Sequence, residues 1–148
     1  MRRLHLAVGL IALAAFLASG FYMHLRYDHL RGLDEVTRLL FRSSHIYLLF
    51  AALLNLVLGL YSGPGLGRWR AWLRRVGSAL VLLAPLLLVL AFLREPWLTG
   101  LDRPYARPAI IGSLAGVLCH LGSCIRPRPG RSPRPAQPGS PPEGGCPV

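Results

Sequence analysis

Apolar residues fall along this chain in four long blocks parted by short polar stretches, and each block is about as long as a membrane is thick. About 20 predominantly apolar helical residues, at roughly 1.5 Å each, cross the hydrocarbon of a bilayer. Residues 4–23 form the first block, broken only by His5 and Ser19. Residues 43–61 and 76–93 are uncharged and exceed the shortest crossing of roughly 17 residues. Residues 109–125 carry Ser113, Cys119, His120 and Ser123 but no charge, and Pro108 stands in the first turn, where a helix tolerates it. The pattern predicts an all-α polytopic membrane protein, an antiparallel four-helix transmembrane bundle spanning residues 1–125. A secretory signal is the alternative for the first block, because Arg2 and Arg3 precede it and Ala18-Ser19-Gly20 fits a small-residue cleavage pattern. Its apolar run is longer than the usual 7–15 residues of a signal core, which favours a span.

The connecting stretches have characters of their own. In residues 27–41, Tyr27, Leu30, Leu33, Thr37 and Leu40 recur at helical spacing, with Arg31, Asp34, Glu35 and Arg38 mainly on other faces. A short interfacial helix between spans 1 and 2 is expected there, supported by the pairs Arg31 with Glu35 and Asp34 with Arg38. Residues 62–67 read Ser-Gly-Pro-Gly-Leu-Gly, a turn lacking the Lys and Ser or Thr of a phosphate loop. A basic aromatic strip of Arg68, Trp69, Arg70, Trp72, Arg74 and Arg75 follows. Residues 126–148 are rich in Pro and Arg, a composition that predicts a disordered tail.

Composition sharpens this picture. The chain has 148 residues, enough for one domain, with 53% hydrophobic and only 16% charged residues, whereas a soluble domain averages about 25% charged. All 17 basic residues are Arg, and against 6 acidic residues they leave a net charge of +11. Such a charge suits nucleic acid, but the short Arg-Pro repeats lack the interleaved aromatics that stack on bases. Anionic lipid headgroups at Arg68, Arg70, Arg74 and Arg75 are the expected partner instead, each Arg gaining about 1 kcal/mol near an anionic leaflet. With four crossings, ten Arg share the side of both termini and seven lie opposite. The positive-inside rule therefore puts both termini in the cytoplasm. The short, loop-poor chain points to a bacterial inner membrane.

Small and polar residues mark the faces on which helices meet in lipid, since association there depends on close backbone approach and a few polar contacts. Three stripes stand out: His5, Gly9, Ala12, Phe16 and Ser19; Ala52, Asn55 and Gly59; and Ala109, Ser113, Gly116, His120 and Ser123, with Gly112 and Gly116 forming Gly-x-x-x-Gly. Packing between helices explains all three better than a cofactor pocket does. Pro85 in the third block bends its helix or frees a backbone carbonyl.

The histidines carry the only candidate chemistry, because ionisable residues at spans are functional hypotheses by default. By depth, His24 pairs with His45 and His5 with His120. Imidazoles on facing helices can ligate haem iron. The layout is similar in outline to haem-b membrane cytochromes, though no family motif accompanies it. Interfacial, hydrogen-bonded histidine is the simpler reading, above all for His5, His24 and His29 at or beyond span ends, and His45 and His120 are the better ligand candidates. Cys119, His120 and Cys124 on one rigid helix do not converge on a metal, and Cys146 lies in the tail. No catalytic constellation is present, so the expectation is a non-enzymatic accessory or scaffold subunit, a homo- or hetero-oligomer in the membrane, with no cofactor. Electron transfer through haem b is the alternative, and a transporter or channel subunit a further one.

Overall fold

A computed structural model describes residues 1–61, 67–98 and 102–124. Four α-helices make up nearly all of it: α1 (Arg2–Tyr27), α2 (Glu35–Leu60), α3 (Arg68–Arg94) and α4 (Ala106–Cys124), with a single 3-10 turn at Glu95–Trp97; no strand occurs among the described residues. The glycine-rich turn at residues 62–66 and the tail at residues 126–148 lie outside the described residues, as does Ile125 at the end of the fourth block. α1, α2 and α3 are long and apolar enough to cross a membrane. α4 is not among them, because it is shorter and Arg107 and Pro108 in its first turn, with His120, lower its hydropathy.

Each helix begins and ends for a local reason. α1 is rich in Ala and Leu, which outweigh Gly9 and Gly20, and is closed by His24 and Arg26 in its last turn, which complement the helix dipole. Its C-cap, Asp28, is left-handed (φ 40°), and His29, Leu30 and Gly32 follow with positive φ, so the chain reverses within a few residues. Asp34 then caps α2, its carboxylate accepting from the Thr37 N–H at 2.9 Å.

This cap overturns the separate interfacial helix expected at residues 27–41. Residues 28–34 are turn, and residues 35–41 are the opening of α2 itself. Nothing between Phe41 and Ser43 breaks a helix, so once Asp34 starts one it runs to Leu60. The expected side-chain pairs change as well: Arg31 faces Asp28 at 3.6 Å rather than Glu35, and the Asp34 carboxylate is engaged in capping.

The helices pack antiparallel in chain order. Arg2 meets Gly59 and Ser19 meets His45 across α1 and α2; Asn55 meets Val81 and Phe41 meets Phe92 across α2 and α3; Gly77 meets Gly116 across α3 and α4. α1 and α4 lie on the outside with no direct backbone packing between them, so the arrangement is a row folded about α2 and α3 rather than a closed square.

The interior is inverted relative to a soluble protein. Buried positions recur at helical spacing and are mostly small or polar: His5, Gly9, Ala12 and Ser19 on α1; Ser44, Ala51, Ala52, Asn55 and Gly59 on α2; Gly77, Ser78, Ala84 and Ala91 on α3; Ala106, Ala109, Ser113, Gly116 and Ser123 on α4. Large aliphatics face outward, among them Ile11, Leu25, Ile46, Leu60, Leu86 and Leu118. Water would penalise such a surface, whereas lipid tails do not.

Glycines set the closest approaches. A Cβ on Gly9 would meet the Leu56 side chain at 2.9 Å and one on Gly59 the Leu6 side chain at 2.7 Å, so α1 and α2 touch through reciprocal glycines. Gly116 would strike Val81 at 2.6 Å and the Gly77 carbonyl at 2.8 Å. Gly112 has only Leu80 at 4.0 Å, so one glycine of the Gly-x-x-x-Gly makes the contact and its counterpart is Gly77 on α3. Pro85 is buried within α3.

Candidate functional site

Polar side chains gather at the two ends of the bundle. At the end formed by the C-terminus of α3 and the N-termini of α2 and α4, Glu95 is fully buried (0% exposed). Its carboxylate accepts from the Tyr105 and Ala106 N–H groups at 3.0 and 2.7 Å and from Arg103 Nε at 3.2 Å. Glu95 therefore caps α4 from another element and places its negative charge at the positive end of that helix dipole. Arg103 continues outward, its Nη2 donating to the Ser43 and Ser44 hydroxyls at 2.7 and 3.3 Å while its guanidinium lies over the Tyr47 ring at 5.4 Å. One ion pair thus ties α2, α3 and α4 together.

Sequence reasoning missed this centre and assigned Glu95 no role. The available signal was a lone carboxylate directly after an apolar block, followed by Asp-Arg-Pro ahead of the next helix. Tyr22, Tyr27, Phe41 and Trp97 collect at the same end, with ring centroids 5.7 to 6.4 Å apart along the chain of contacts. Phe41 is the buried one of these, because it lies on the core face of α2.

At the opposite end, Asn55 is wholly buried on α2. Its Nδ2 donates to the Ala51 and Val81 carbonyls at 2.9 and 3.1 Å, which turns Oδ1 toward His5 Nδ1 at 2.9 Å. An oxygen can only accept, so His5 Nδ1 carries the proton, and the lone pair of the neutral ring resides on Nε2. That Nε2 is buried and has no hydrogen-bond partner, the one such side-chain atom among the described residues. His120 lies next to it, ring centroids 6.4 Å apart and planes at 74°, with its Nε2 at 3.2 Å from the Ser78 hydroxyl.

The four histidines singled out by depth therefore separate into different situations. His5 and His120 come together. His24 and His45 are partnered elsewhere: His24 Nδ1 is 2.8 Å from His29 Nε2 at the exposed end of α1, while His45 stacks on Phe16 at 4.2 Å and its Nδ1 is 2.8 Å from the Ser19 hydroxyl. Asn55, Gly59 and Gly116 lie at helix contacts, and Gly112 beside one. No group of three or more His, Cys, Asp or Glu side chains is placed to hold a metal ion among the described residues. Cys119 and Cys124 are free thiols. Arg74 is half-buried, whereas Arg68 and Arg75 are exposed beside Trp69 and Trp72, whose rings stack at 5.3 Å.

Comparison with protein-family models, with curated proteins and with solved structures finds no match for this chain.

Proposed function

We propose that this chain is an integral membrane protein that crosses the bilayer four times and acts, without catalysis, as an accessory or scaffold subunit. The observation that supports this reading is the inversion of polarity: Asn55, Glu95, Ser44 and Ser113 are buried while large aliphatics cover the outside. In lipid such an interior is held by hydrogen bonds and close helix approach, and such an exterior is solvated by acyl chains. A fourth crossing by α4 is favoured because it packs on α3, itself long and apolar enough to span, from Ala106 beside Glu95 to His120 beside Ser78. The excess of Arg near one end favours cytoplasmic termini in a bacterial inner membrane, with anionic headgroups at Arg68, Arg70, Arg74 and Arg75.

The scaffold role is supported by outward faces that no other described residue covers, such as Ile111, Leu114, Leu118 and Leu121 on α4. Photocrosslinkers at Leu114 and Leu118 in native membranes are expected to capture a protein neighbour, either another copy or a different subunit. Lipid adducts alone, from every outward face, would remove the subunit role. Recovery of the chain in the supernatant without detergent would remove the membrane assignment itself.

A further inference from the structure

The end of the bundle that carries His5 opens into a pocket of about 420 Å³, lined by Arg2, His5, Arg74, Arg75, Ser78 and His120 among others. Three arginines line it, and no carboxylate among the described residues does. Arg2 uses Nε on the Gly59 carbonyl at 3.0 Å, and its two terminal nitrogens make no hydrogen bond among the described residues. Arg74 and Arg75 form no ion pair among the described residues. His5, 3% exposed, also lines the pocket, with its Nε2 buried and unpartnered among the described residues.

We propose that this pocket binds the headgroup of an anionic phospholipid bearing free hydroxyls, its phosphodiester held by Arg74, Arg75 and Arg2 and one hydroxyl donating to His5 Nε2. The proposal rests on the membrane reading above. Guanidinium forks match phosphate oxygens in geometry and charge, and three of them around one small space repel a metal cation. A bare phosphodiester has no proton to give, so it would satisfy the arginines and leave the buried His5 acceptor unpaired; a glycerol headgroup satisfies both. The depth also fits, for Tyr61 lines the pocket and the stacked, exposed Trp69 and Trp72 sit at the same end of α3, as amphipathic rings do at headgroup level.

The test uses the full chain in micelles, with lipid retention read by native mass spectrometry. Its probes are phosphatidylglycerol, phosphatidylmethanol, which has the same charge and no hydroxyl, and phosphatidylcholine. The wild type is expected to hold phosphatidylglycerol about tenfold more tightly than phosphatidylmethanol, and phosphatidylcholine least. Arg74→Gln with Arg75→Gln weakens both anionic lipids about equally, whereas His5→Gln removes the preference between them and leaves the preference over phosphatidylcholine. The lipid comparison on the wild type stands alone if either variant fails to fold. Equal retention of the two anionic lipids by the wild type overturns the proposal. So does displacement of phosphatidylglycerol by inorganic phosphate, which would assign the pocket to the free anion. A chain that pellets with membranes but shows no lipid preference defeats this inference alone; a chain that does not pellet defeats the membrane reading.

Discussion

The two ends of the bundle handle charge in opposite ways. At the Glu95 end a buried carboxylate and a largely buried guanidinium neutralise each other, and every buried side-chain polar atom is hydrogen-bonded. At the His5 end the buried network contains no ion pair, the arginines lining the pocket have no counterion among the described residues, and one ring nitrogen is left without a partner. The first end is closed by its own residues. The second holds its parts together through glycine contacts and Asn55, and its charge is available to something outside the chain. Internal electrostatics therefore serve cohesion at one pole and recognition at the other.

The contrast can be broken most severely at Glu95. Glu95→Ala strands Arg103 and uncaps α4, with an expected loss of about 3–5 kcal/mol in detergent unfolding titrations. Replacing both Glu95 and Arg103 by Met recovers most of that loss if the pair contributes cohesion rather than net stability. Next comes the closest contact of the other end. Gly116→Ala forces a methyl into Val81 and the Gly77 carbonyl and is expected to cost about 1–3 kcal/mol, whereas Gly112→Ala, four residues away with its nearest neighbour at 4.0 Å, costs nothing measurable in the same titration. Equal effects at the two glycines would mean that α3 and α4 do not cross where described.

The smallest effect belongs to Asp34, at the Glu95 end but outside the buried pair. Hydrogen bonds from the Thr37 side chain and backbone hold its carboxyl below the usual carboxylate range. A lowered folded value means the cap is intact above the unfolded value and is lost as pH falls through the folded one. Acid titration of helicity below about pH 4 is therefore expected to fray the start of α2, and Asp34→Asn to remove that acid step.

Much of the helical layout was legible in the chain because its cause is local. Long uncharged runs gave α1, α2 and α3 to within several residues, and the small-residue stripes containing Gly9, Asn55 and Gly116 are on buried faces. What escaped depends on partners distant in sequence. Gly77 falls between Arg75-Val76 and Ser78-Ala79 and belongs to no Gly-x-x-x-Gly; only Gly116, brought opposite by the α3–α4 hairpin, gives it meaning. Glu95 caps a helix that begins eleven residues later, beyond the reach of capping patterns that look three residues ahead. The merging of the surface helix into α2 was hidden because periodicity does not mark where one helix stops and the next begins. His5 and His120 were matched by depth, but the tautomer that leaves Nε2 bare follows only from the two carbonyls facing Asn55.

The reversal after α1 places three consecutive L-residues, Asp28, His29 and Leu30, at positive φ, and Leu30 is buried in a cluster that includes Phe41, Phe92 and Ala106. A ribosome delivers residue 30 long before residues 92 and 106. The first hairpin therefore carries only the share of that seat that α2 supplies through Phe41, Leu48 and Ala51, and the rest comes with α3 and α4. The bend that leaves the ribosome earliest gains its full packing from the helices that leave it last.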